Sequence, residues 1–69
     1  MSTIHIILNG SDRETPQGST IRDLIIDLGA GGAGTAVAVN DAIVRRDDYP
    51  NVILSPGDRV ELIRAVGGG

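Results

Sequence analysis

The chain has 69 residues, 41% of them hydrophobic, a formal net charge of −3, one His, one Tyr and no Cys, Lys or Trp. Such a length bounds it to one small domain, and the missing Cys rules out a disulfide or a thiolate metal site, so aliphatic packing alone must hold the core. An acidic chain without clustered cations or aromatic platforms does not suit nucleic acid, and no apolar run approaches the length of a membrane span. The start, Met1-Ser2-Thr3, lacks the basic residues of a signal peptide, and the expected compartment is the cytoplasm.

In chain order, Thr3 to Leu8 predicts a strand with Ile4, Ile6 and Leu8 on one face and His5 and Ile7 on the other. Asn9-Gly10 is a two-residue hairpin signal, because both residues tolerate positive φ. A second strand, roughly Asp12 to Thr15, runs into Pro16, which cannot donate to a ladder and so belongs on an edge. Thr20 then reads as a helix N-cap, with Asp23 placed to complete a capping box. Ile21, Leu24, Ile25 and Leu28 follow the helical period, which predicts an amphipathic helix of about three turns stopped at Gly29.

After a Gly-rich loop, Ala30 to Gly34, a third strand is expected over Thr35 to Val39, a tight turn at Asn40-Asp41 and a fourth strand over Ala42 to Arg45. Arg46 to Asn51 is polar, contains Pro50 and reads as a loop or one helical turn. Ser55-Pro56-Gly57-Asp58 is a turn. From Arg59 to Ala65 the chain alternates, Val60 and Leu62 inward and Glu61, Ile63 and Ala65 outward. Strand, strand, helix, then three strands is an α+β order that fits the β-grasp or ubiquitin-like fold: a mixed sheet of four to five strands with one main helix on one face. The first and last strands would then lie side by side at its centre.

Few side chains offer chemistry. Gly29, Gly31 and Gly34 match G-x-G-x-x-G, but here the pattern follows a helix and enters a strand, the reverse of a dinucleotide-binding loop, and reads as a helix stop and connector. His5 has no evident nucleophile beside it, Asp47-Asp48 reads as a solvated turn, and Asp58 as a turn-fixing residue. No catalytic or metal-binding residue is expected. The outer sheet face, with Ile7, Ile63 and Ala65, is a candidate docking surface. The terminal Gly67-Gly68-Gly69 offers an unhindered carboxylate on an arm that can enter a narrow passage. Terminal glycines are also common as frayed ends, and the tail is expected to be disordered when free.

Val39-Asn40-Asp41-Ala42-Ile43-Val44-Arg45-Arg46, Leu54, Gly57-Asp58-Arg59-Val60-Glu61-Leu62 and the final Ala65-Val66-Gly67-Gly68-Gly69 together resemble the ThiS family, sulfur carriers of thiamine biosynthesis. Leu8-Asn9-Gly10 and Thr20-Ile21-Arg22-Asp23-Leu24 fit too. The resemblance implies a carrier rather than an enzyme, with residues 1–66 as the β-grasp body and 67–69 as a flexible tail. It implies that a ThiF-type enzyme adenylates the Gly69 carboxylate, which becomes a thiocarboxylate and passes sulfur to a ThiG-type thiazole synthase. Gly67 and Gly68 would let the acyl group reach a buried site. ATP and Mg²⁺ would belong to the activating partner, a further enzyme would donate sulfur, and the carrier itself would bind no cofactor. The family pattern is a terminal Gly-Gly, so Gly67 is one glycine more.

Two alternatives share that tail. A MoaD-like carrier for molybdopterin synthesis would differ only in its client, and a ubiquitin-like modifier would form isopeptide bonds with target lysines. A third, of another class, is a binding module with an inert tail.

Overall fold

The computed structural model describes residues 2–29 and 35–64. Five strands, β1 (Thr3–Leu8), β2 (Ser11–Pro16), β3 (Thr35–Val39), β4 (Ala42–Val44) and β5 (Arg59–Arg64), form one sheet in the order β2-β1-β5-β3-β4. β1 and β5 are parallel neighbours at the centre, and the other pairings are antiparallel. One α-helix, α1 (Ile21–Leu28), and a 3₁₀ helix (Arg46–Asn51) complete the described elements. This is the β-grasp arrangement expected from the element order.

Local chemistry accounts for the boundaries. The β1–β2 register closes on Leu8 opposite Ser11, which leaves Asn9 and Gly10 as the turn, with φ of 49° and 84°. Positive φ at both central residues is what a right-twisted two-residue hairpin needs. Asn40 and Asp41, at 51° and 70°, repeat the solution between β3 and β4. β2 is an edge strand, as Pro16 requires, and it runs one residue further at each end than the expected Asp12 to Thr15. Its charged residues Asp12 and Glu14 discourage pairing with another chain.

α1 begins with a complete capping box: the Asp23 amide donates to Thr20 Oγ1 at 3.1 Å, and the Thr20 amide donates to Asp23 Oδ2 at 3.0 Å. Loss of such a cap costs about 1 kcal/mol. At the other end Gly29, at φ 66°, turns its amide back onto Ile25 O and Ile26 O. The helix keeps the expected bounds, Ile21 to Leu28 with the stop at Gly29, but its eight residues make roughly two turns rather than three. β4 likewise stops at Val44 rather than Arg45, where the 3₁₀ helix takes over.

The core lies between α1 and one face of the sheet. Ile6, Ile21, Leu24, Val37 and Val60 are fully buried, joined by Ile4, Ile25 and Leu54, with Leu8, Leu28, Val39, Tyr49, Val52 and Leu62 packed at the margin. Each fully buried aliphatic side chain contributes about 1.5–3 kcal/mol. The helix start is tied to the segment after the 3₁₀ helix: the Ile21 amide donates to Val52 O at 3.0 Å and the Leu54 amide to Ser19 O at 2.8 Å. Among the described residues no helix is long and apolar enough to cross a membrane.

Candidate functional site

β5 is the element that delivers the C-terminus, and its neighbours fix it on both sides. Five residues of β3 pair with it, from Thr35 opposite Arg64 to Val39 opposite Val60. β1 covers a shorter stretch, Ile7 opposite Arg59 and Leu8 opposite Val60. The strand starts from a turn locked by Asp58, whose Oδ2 accepts from the Ser55 amide at 2.8 Å and whose Oδ1 accepts from Asn40 Nδ2 at 3.1 Å. Asp58 is therefore the turn-fixing residue expected, and it also joins that turn to the β3–β4 hairpin. Asp41 and Arg59 add an exposed ion pair at 2.8 Å beside it.

On the face turned away from α1, the strand registers place Ile63 of β5 opposite Ala36 of β3, and Ile43 of β4 opposite Ala38 of β3. Ile63 is 46% exposed and Ile43 66%, and the small alanines between them leave a low apolar surface at this end of the sheet. Ile7 lies on the same face but is half-buried. Towards β2 the face turns acidic, with Asp12 and Glu14 beyond Glu61. Of the expected docking residues, Ile63 and Ile7 thus share a face, while Ala65 lies outside the described residues. Ile43 was missed. Its strand is only three residues long, too short for alternation to reveal a face.

The tail, Gly67, Gly68 and Gly69, also lies outside the described residues, as do Gly31 and Gly34. Gly29 caps α1, as read from the sequence. His5 is a surface residue opposite Glu14, Nε2 to Oε1 3.5 Å, with 68% and 62% of their side chains exposed, an arrangement that contributes little. Asp47 and Asp48 are exposed at the start of the 3₁₀ helix. Among the described residues no group of three or more His, Asp or Glu side chains is placed to hold a metal ion.

The ThiS family model fits residues 6–69, a span that includes all three terminal glycines. The chain belongs to the ThiS family. It is 30% identical over 66 residues to the sulfur carrier protein ThiS of Escherichia coli, covering 96% of this chain and 100% of that protein. It is 36% identical over 64 residues to a thiazole synthase of Magnetococcus marinus and 31% identical over 64 residues to one of Paramagnetospirillum magneticum. In both cases 93% of this chain is covered but only 20% of the relative, so the chain spans a fifth of the length of those two proteins. A solved structure, the thiamine biosynthesis protein ThiS of Geobacter metallireducens, superposes with a TM-score of 0.82 over 96% of this chain and 100% of that one at 22% identity, which supports the β-grasp fold.

Proposed function

We infer that this ThiS-family chain is a sulfur carrier of thiamine biosynthesis whose reacting group is the Gly69 carboxylate. The family match carries that reading, because it runs through Gly69 and includes a full-length sulfur carrier among the relatives. A carboxylate is a poor electrophile. Attack of its oxygen on the α-phosphorus of ATP, in the site of a ThiF-type enzyme that supplies Mg²⁺, expels pyrophosphate and gives an acyl-adenylate. A sulfur nucleophile at the oxidation level of hydrosulfide then adds to the carbonyl, AMP departs with the C–O electron pair, and a thiocarboxylate remains. No electrons are gained or lost overall. Gly67 and Gly68 act as the arm, and residues 1–66 as the body that is docked.

A thiazole synthase is the recipient this reading favours, since two proteins of that name contain a segment similar to this chain. The docking surface is the outer sheet face, with Ile63, Ala65 and Ile7 as first proposed and Ile43 added from its exposure. The carrier supplies no catalytic group and no cofactor. ATP–pyrophosphate exchange by a ThiF-type enzyme tests the assignment: exchange with the full chain, and none with a chain ending at Gly67, is expected. Equal exchange with both would sink it. Stable adducts on partner lysines would point to a protein modifier instead.

A further inference from the structure

The two hairpins have similar sequences, Leu8-Asn9-Gly10 after β1 and Val39-Asn40-Asp41 after β3, and their asparagines do the same thing on opposite sides of β5. The Asn9 amide donates to Val60 O at 2.9 Å, as a parallel ladder requires of a residue opposite Glu61. In such a ladder the next bond would run from the Leu62 amide to the Asn9 carbonyl. Asn9 has instead turned into the hairpin at φ 49°, and its side-chain Oδ1 accepts from the Leu62 amide at 3.0 Å. Asn40 repeats the substitution in the antiparallel sense. Its amide donates to Arg59 O at 2.7 Å, and its Oδ1, in place of its carbonyl, accepts from the Arg59 amide at 3.0 Å. Asn and Asp side chains imitate a backbone carbonyl in this way.

The two rungs sit at different places on β5. Asn40 holds the strand's first residue. Asn9 holds Leu62, beyond the last β1 pairing at Val60, where among the described residues the remaining support comes from β3. We propose that Asn9 is a positioning residue for the tail: its Oδ1 adds the final β1-side rung to β5 and so sets the direction in which the chain leaves the body. The proposal rests on the sulfur-carrier reading for its consequence, and on the Leu62 bond for its geometry. A looser exit lowers the fraction of docked complexes whose Gly69 carboxylate meets ATP.

Asn9→Gly is the clean test, because Gly accepts the positive φ and removes only the acceptor, and Asn9→Asp keeps both. Asn40→Gly is the control: at the far end of the strand it loses a rung of the same kind and, with it, the Asn40 Nδ2–Asp58 Oδ1 bond. In adenylation assays with a ThiF-type enzyme, Asn9→Gly is expected to lower kcat about three- to tenfold, the factor corresponding to one neutral hydrogen bond, with a smaller change in KM. Asn40→Gly should leave kcat unchanged although it lowers Tm at least as much, and Asn9→Asp should restore the kcat lost in Asn9→Gly. Equal kcat for the two Gly variants, or no recovery with Asn9→Asp, overturns the proposal. Amide exchange and ¹⁵N relaxation separate its failure from that of the carrier reading. Faster exchange at Leu62 and greater motion from residue 63 onward in Asn9→Gly support the rung even if the wild type is never adenylated, and unchanged values there refute it.

Discussion

The two faces of the sheet use the same residue type for different ends. Ile4 and Ile6 of β1 point at α1 and are 7% and 0% exposed, whereas Ile43 of β4 and Ile63 of β5 point away from it and are 66% and 46% exposed. Isoleucine identity therefore says nothing by itself about role. A side chain on the helix face is held by packing and matters to folding. One on the outer face touches little in its own chain, and its apolar area becomes useful when another molecule covers it.

That contrast can be broken or sharpened by substitution. Ile6→Ala is expected to have the largest effect, a loss of about 2–5 kcal/mol of stability, read from chemical denaturation. A value under about 1 kcal/mol would mean that the core tolerates collapse around Ile6. Ile43→Asp should leave Tm within a few degrees of wild type and raise the carrier's KM for a ThiF-type or ThiG-type partner about tenfold, the equivalent of roughly 1.4 kcal/mol. Unchanged KM for both partners would remove this face from the docking surface. His5→Ala, at the acidic end of the same face, should change stability by less than about 0.5 kcal/mol, because its contact with Glu14 is exposed. A larger loss would show that the pair is structurally coupled.

Most of the fold was legible because its signals are local. The Asn9-Gly10 and Asn40-Asp41 turns, the Thr20–Asp23 capping box and the alternation in β1 and β5 each depend on residues within a few positions of one another. The edge position of β2 followed from Pro16 alone. What was not legible depends on residues far apart in sequence. The similarity of the two asparagine turns was visible, but its use was not, since the Asn9–Leu62 and Asn40–Arg59 bonds exist only once β5 lies between β1 and β3. Ile43 was missed for a related reason: its face is set by pairing with Ala38, not by any pattern inside Ala42–Val44. In the candidate site, Ile63 and Ile7 were placed on their face by alternation. The role of the glycine tail came from resemblance to a family, because a carboxylate on three glycines carries no periodicity to read.

The central claim is that the body is a mount and the chemistry belongs to Gly69. Intact mass of the full chain, after incubation with ATP, Mg²⁺, a hydrosulfide source and a ThiF-type enzyme, tests it most directly. A gain of about 16 mass units, sulfur for oxygen, that maps to the C-terminal peptide is expected. An unchanged mass, with an enzyme active on another carrier, would contradict the account.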